Sequence, residues 1–338
     1  MPECCDIIFS SYNGCMKGEK NLFADDMIFS LNATVPIFLI MIFGWFVRRI
    51  GLLDDHFTAQ VNRFVFRALL PALLFSDLST ADFRAVWDGK FVLFCMTATI
   101  LSLCIAVMYS RLHGDKAERG EIIQASYRSS AAVLGIAFVN NIYGESTIAA
   151  LMIVGTVPLY NVIAVTVLSL TSPDRRHGGG RAVFLDTLKG IATNPIILGI
   201  IAGILWSLTG FSQPVIMSKS ISYLARTATP LSLIALGASF RFSDAKGRKA
   251  ITAGIAFLKL VFFCGLFLPA AIKLGFRGEK LIAVLVMLGS ATTGSCFVMA
   301  KNFGHKGAVT AFAVMLTTLC SAFTLTMWLF ILKRLDYV

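Results

Sequence analysis

Charge is what this 338-residue chain has least of: Asp, Glu, Lys and Arg make up 14% of it, against 57% apolar residues. A soluble domain carries about a quarter of its residues as charges, so a free-standing globular fold is excluded. Enzyme signatures are also lacking. HExxH, GxSxG and a phosphate-binding loop are all missing, which argues against metalloprotease, α/β-hydrolase and nucleotide-driven chemistry. Asp77 and Asp82 fall at or beyond the end of an apolar run, so an intramembrane aspartyl dyad is not indicated, and the chain is not expected to be an enzyme. The four histidines and eight cysteines show no metal-ligand spacing, so neither a metal nor a cofactor is expected. Cys95, Cys104, Cys264, Cys296 and Cys320 lie in apolar runs, where a thiol packs as a small hydrophobe. Cys4, Cys5 and Cys15 share a polar N-terminal tail; adjacent cysteines rarely both pair within one short segment, and a disulfide there stays open. Residues 1–26 have no basic leader or small-residue cleavage site, so the first apolar run is expected to be retained.

Apolar runs, by contrast, recur along nearly the whole sequence, and the mean hydropathy is +0.77. Each run is close to the 20 or so residues that cross a hydrocarbon core of about 30 Å. The fold class is therefore an all-α polytopic membrane protein. Ten spans are expected, close to Met27–Val47, Thr58–Leu78, Phe91–Ser110, Gln124–Gly144, Ile148–Leu170, Ile191–Leu208, Ile221–Phe240, Ile251–Leu274, Leu281–Lys301 and Ala308–Leu332. The net charge of +11 does not point to nucleic acid, because the basic residues sit in short loops where they set topology. The second span carries Arg63 and Arg67 four apart, a face expected to snorkel or to line the interior.

The second half of the chain repeats the first. A shift of 159 carries Pro36 to Pro195, Gly44 to Gly203, Arg67 to Arg226, Pro71 to Pro230 and Gly135 to Gly294. The expected units are a tail (1–26), five spans (27–171), a Gly- and Arg-rich linker (172–190), five more spans (191–332) and a short C-terminal tail (333–338). Five is odd, so the second set must enter the membrane from the opposite side. That is the inverted-repeat plan of secondary transporters, with the solute near the midplane where helices are discontinuous. Lys and Arg are more numerous on the linker's side, which places the linker in the cytoplasm and both termini outside the cell membrane.

The fourth and ninth spans carry polar residues that a lipid-facing helix would not. Arg128, Ser129, Ser130, Gly135, Asn140 and Asn141 lie in the fourth; Thr292, Thr293, Gly294 and Ser295 lie in the ninth, beside Ser290. An intramembrane charge or amide normally faces a bundle interior or a solute path. Arg128 suits a carboxylate, which a guanidinium binds through two parallel hydrogen bonds, although an Arg one turn inside the membrane can also snorkel outward. Lys259, in the eighth span, is a weaker candidate for ion or proton coupling. The residues together suggest a carrier of a small organic anion. The alternative is a membrane sensor or partner-binding protein that keeps the carrier fold without transporting.

Six stretches carry a family likeness: VNRFVFRALLPALLFSDLS (Val61–Ser79), FVNNIYGE (Phe138–Glu145), VPLYNVIAV (Val157–Val165), NPIILGIIAGILW (Asn194–Trp206), LARTATPLSLIALGASF (Leu224–Phe240) and FVMAKNFG (Phe297–Gly304). In this order they resemble the auxin efflux carrier family, including its bacterial members, from about Val35 to Leu332. The resemblance implies ten helices in two inverted sets, related in fold to bile acid:sodium symporters, with helices four and nine broken and crossing at the solute site. It also implies a scaffold of helices one, two, six and seven. The implied partners are an organic anion such as an auxin-like molecule or a dicarboxylate, a coupling proton or sodium ion, and the lipid bilayer; a homodimer stays open. Ser130 stands where similar bacterial proteins have Asn, and Ala137 where they have Pro; a proline is also absent near Ala291 or Thr292. A missing proline restores a backbone donor, so the two helices are expected to be less sharply broken here.

Overall fold

A computed structural model of the chain describes residues 34–80, 88–113, 115–131, 147–173, 192–241 and 247–338, with residues 27, 28, 31, 32, 139, 142, 143 and 190. The N-terminal tail with its three cysteines, most of the linker, Asp82, Gly135, Asn140 and Asn141 lie outside the described residues. Every regular element among the described residues is a helix.

The first helix, α1, covers residues 34–49. After a turn, Asp54 caps α2 (Asp55–Phe64) by accepting from Phe57 N at 2.6 Å. A π-helical turn (Val65–Leu69) leads into α3 (Leu70–Ser79). Then follow α4 (Gly89–His113), α5 (Arg119–Tyr127) and α6 (Thr147–Thr171). The second half opens with α7 (Pro195–Thr209), which has its start and stop written into the sequence. Asn194 accepts from Ile196 N at 2.9 Å, Pro195 needs no N–H at the first position, and Gly210 closes the helix at φ +73. Next come α8 (Val215–Ser239) and α9 (Lys249–Phe257). A second π turn (Leu258–Phe262) leads to α10 (Phe263–Lys273), and α11 (Glu279–Gly289), α12 (Ser295–Asn302) and α13 (Ala308–Arg334) complete the chain.

Four of these stretches are long and apolar enough to cross a membrane: Gly89–His113, Leu151–Thr171, Lys249–Lys273 and Ala308–Arg334. Their outer faces are oily. Leu93, Ile100, Met108, Phe257, Phe323 and Met327 are all exposed, a distribution that suits lipid and not water. Arg63 and Arg67 lie on the exposed side of α2 and its π turn, and Arg226 is exposed on α8; none of them lines the interior. Cys95, Cys264 and Cys296 are buried thiols, whereas Cys104, expected to pack inside, faces outward.

Glycines let the helices approach closely. A Cβ on Gly199 would come within 2.6 Å of Pro71 O, and one on Gly203 would meet Phe75 Cα at 3.1 Å. On the other pair of helices, Gly44 abuts Ile234 O and Gly237 abuts Met41 O closely enough that neither tolerates a Cβ. The shift of 159 maps Gly44 onto Gly203 and Phe75 onto Ile234, so α1 on α8 repeats α7 on α3.

At one end of the bundle, α5 and α13 are joined by a buried carboxylate. Glu121 accepts from Gly307 N at 2.8 Å, from Thr310 N at 3.0 Å and from Thr310 Oγ1 at 3.1 Å. It thereby satisfies amides that the first turn of α13 cannot satisfy itself, and its charge suits the positive helix end. Glu121→Gln replaces one acceptor oxygen by a donor facing donors. A loss of about 1–3 kcal/mol is expected, read as a lower thermal midpoint in detergent.

Opposite this end, Asp88 precedes α4 and accepts from Phe91 N at 3.0 Å and from Lys280 Nζ at 2.6 Å. The Lys280 ammonium, then the Phe91 amide, hold its carboxyl below the ordinary carboxylate range. A folded-state value below the unfolded one means the contribution is complete above about pH 4 and is lost as pH falls through the folded value. The pair is part-exposed, so it is worth less than about 1 kcal/mol. In Asp88→Asn this part of the acid limb of a stability–pH curve should be missing.

Candidate functional site

Two helices stop against each other in the interior. Residues Gly120–Tyr127 of α5 are all buried, and the helix ends where Arg128 turns extended at φ −85, ψ 119. The helix α11, buried from Leu281 to Gly289, ends the same way at Ser290, φ −74, ψ 160. The two extended segments meet in an isolated antiparallel bridge between Ser129 and Thr292, and Ser130 N donates to Ala291 O at 2.9 Å. Backbone freed inside an apolar bundle must be satisfied by protein, and here it is. Thr292 N donates to Thr317 Oγ1 at 3.0 Å, Thr292 Oγ1 to Ala125 O at 2.8 Å, and Gln124 Nε2 to Cys296 O at 2.9 Å. Residues 290–294 separate α11 from α12, so this helix is fully interrupted without a proline. In the ninth span the crossed segments satisfy each other's backbone at the break, so no proline is needed there, while the middle of the fourth span lies outside the described residues.

Two basic side chains sit at the break. Arg128 is 5% exposed, so it does not snorkel. Its Nη2 donates to Asn161 Oδ1 at 2.6 Å and to Ser295 Oγ at 3.1 Å, and its Nη1 contacts Met299 Sδ. Asn161 is held in turn by donating to Val157 O at 2.8 Å within α6. Lys259 lies in the second π turn, a local widening often found at functional positions. It is 0% exposed, and its Nζ donates to Ser129 Oγ at 2.8 Å. Among the described residues neither basic side chain has a carboxylate partner within salt-bridge distance.

A cavity of about 50 Å³ opens beside Arg128. Of the residues expected at the site, Arg128, Ser129, Ser130, Thr293 and Ser295 border it. Thr292 and Gly294 do not. Thr292 is consumed by the bridge, and Gly294, just before α12, packs against Leu233, whose Cδ2 would lie 3.0 Å from an added Cβ. Gly135, Asn140 and Asn141 lie outside the described residues.

The cavity also has walls that the sequence reading left out. Asp77, Tyr160, Asn161, Thr229 and Ser232 border it, with Leu70, Leu73 and Leu74. Asp77, expected at or beyond its helix end, lies within α3, and its Oδ2 is buried without a hydrogen-bond partner among the described residues. The signal was available: 70, 73, 74 and 77 recur at helical spacing and so share one face. The shift of 159 carries Leu70 to Thr229 and Leu73 to Ser232, so α3 and α8 contribute matching positions.

A profile of the family described as membrane transport protein, the auxin efflux carrier type, matches residues 29–180 and 179–329. The chain belongs to this family. As a membrane transport protein it is an integral membrane protein, in keeping with its long apolar helices and oily outer faces. An uncharacterised transporter of Methanothermobacter thermautotrophicus is 23% identical over 309 residues, covering 89% of this chain and 99% of the relative. A Rhizobium meliloti protein provisionally named a malonate transporter is 24% identical over 314 residues, covering 88% of this chain and 94% of its own. Among solved structures, the sodium proton antiporter MjNhaP1 from Methanocaldococcus jannaschii superposes with a TM-score of 0.61 at 11% identity. It is covered to 99% by 91% of this chain, and the likeness is one of fold alone.

Proposed function

We propose that this membrane transport protein is a secondary carrier of small organic anions, with carboxylates as the solute class. The observation that carries the reading is Arg128: a buried guanidinium on the wall of a cavity, bonded among the described residues only to neutral groups. A buried charge without a counter-charge is costly, and a carboxylate arriving at Arg128 would supply one. Lys259, hydrogen-bonded to the neighbouring Ser129, places a second basic side chain at the same break. Ser130, Thr293 and Ser295 would donate to the solute beside the guanidinium; Asn140 and Asn141 remain proposed members of the same site.

The cavity is large enough for a few waters and too small for a dicarboxylate. Binding therefore requires opening, which is the need that alternating access meets. The ten-span plan with inverted halves is supported by the contacts that the shift of 159 interconverts, Gly44 on Ile234 and Gly203 on Phe75. In that plan α1, α3, α7 and α8 form the scaffold, and the interrupted helices move against it in the cell membrane. The missing prolines do not count against transport, because the ninth span is interrupted without one.

Full-length protein in proteoliposomes, screened with labelled mono- and dicarboxylates beginning with malonate, tests the reading. Saturable uptake that unlabelled carboxylates compete with supports it. Binding without flux would instead favour the sensor reading, and no binding at all would remove the solute class.

A further inference from the structure

We infer that Asp77 is the proton site of this carrier, taking up a proton on Oδ2 whenever an anion binds at Arg128, so that the two cross the membrane together. The inference rests on the carboxylate solute class argued above and names its coupling ion.

An acidic and a basic side chain share one enclosure. Asp77 from α3 and Arg128 from the end of α5 border one small cavity, yet no salt bridge joins them. Arg128 spends its donors on Asn161, Ser295 and Met299. Asp77 Oδ2 is buried and has no hydrogen-bond donor among the described residues. A carboxylate oxygen in that position is a vacant acceptor, and a proton is the smallest species that satisfies it.

Among the described residues, the surroundings of α3 leave no rival for this role. The helices packed against it are α6, α7 and α8, together with the π turn Val65–Leu69. The helix α7 carries no ionisable side chain. On α8, Lys219, Tyr223 and Arg226 are exposed, as is Arg67 on the π turn. On α6, Tyr160 borders the cavity, and its hydroxyl donates to Met287 O at 3.2 Å. Arg128 and Tyr160 are thus the ionisable groups that share the cavity with Asp77 among the described residues, and Lys259 stands behind Ser129.

An anion held at Arg128 would lie in the same enclosure as Asp77. Two carboxylates sharing one poorly solvated site do not both stay ionised, because their repulsion is barely screened there. A proton from the water on the entry side, bound to Asp77 Oδ2, removes the repulsion. Opening to the other side rehydrates the site, and the proton and the anion leave together. Linkage makes this reciprocal: the proton favours the anion as much as the anion favours the proton.

The test compares wild-type and Asp77→Asn full-length protein in proteoliposomes, with labelled malonate as the probe. In the wild type, lowering the pH tightens malonate binding by up to about tenfold per unit beyond the probe's own titration, which Asp77→Asn reports by itself. An acid-outside jump drives accumulation in the wild type and only equilibration in Asp77→Asn. Asp77→Glu, which keeps a carboxyl, restores accumulation. Equal pH profiles in wild type and Asp77→Asn, or accumulation by Asp77→Asn under the jump, would overturn the inference.

An infrared pH titration without any carboxylate separates this from the solute class. A protonated-carboxyl C=O band that grows as pH falls, and that Asp77→Asn lacks, is the expected result. If malonate and its analogues do not bind the wild type, the solute class fails. The proton site then stands if that band is present and falls if it is missing.

Discussion

Arg128→Gln is expected to remove carboxylate binding while leaving the protein folded. Truncating one side of a buried charge-assisted pair costs about 2–5 kcal/mol, which is a loss of roughly thirtyfold or more in affinity. The unusual part of the expectation concerns stability. Most buried arginines leave a stranded carboxylate when removed, but here the partners are Asn161, Ser295 and Met299, all neutral. Thermal stability in detergent should therefore hold or rise slightly, because a desolvated charge has been taken away. Arg128→Lys keeps the charge without the two-pronged geometry, and should fall between wild type and Arg128→Gln. Equal malonate affinity in wild type and Arg128→Gln would remove Arg128 from the site.

The largest effect on stability is expected from Gly237→Val. The added Cβ would run into the carbonyl oxygen of Met41 on α1, and backbone in a neighbouring helix cannot step aside as a side chain can. Overpacking of this kind costs about 3 kcal/mol or more, because the whole α1–α8 contact must separate. Gly265→Ala is the control. It lies within α10, and its added Cβ would come no closer than 3.8 Å to a heavy atom, Trp328 Cη2. That change should be neutral or stabilise by up to about 1 kcal/mol, because alanine is the better helix former. A thermal midpoint for Gly237→Val equal to that of Gly265→Ala would contradict the close-packed scaffold.

Much of the architecture could be read from the residues, because helix ends are written locally. The span expected to close at Leu170 closes at Thr171, and the last begins at Ala308 as expected. The start of α8 was less readable. Val215 follows a proline, and Ser218, Lys219 and Ser220 break the apolar pattern until Ile221. The site divides in the same way. Arg128, Ser129, Ser130, Thr293 and Ser295 stand out as polar residues in apolar runs, and they do border the cavity.

What sequence could not supply was partnership. Whether an arginine one turn inside a helix snorkels or turns inward depends on whether Asn161, 33 residues on in another helix, is waiting for it. Thr292 resembles its neighbours by type, yet the bridge with Ser129 uses it as structure. Asp77 sits where the apolar run ends, which hides its role in the sequence; the helix continues to Ser79 and turns that carboxylate inward. Lys259 has no polar neighbour in its own apolar run, and its partner Ser129 lies in a different helix.

The central claim is that the solute sits at the bridge between the interrupted helices. The most direct measurement is a structure of the full chain in lipid nanodiscs with saturating malonate. The account predicts density for the diacid within hydrogen-bonding distance of the Arg128 guanidinium, in an enlarged cavity that also touches Ser130 and Thr293. Density confined to the basic recess formed by Arg241, Arg248, Lys301 and Lys306, with the space beside Arg128 unchanged, would contradict it.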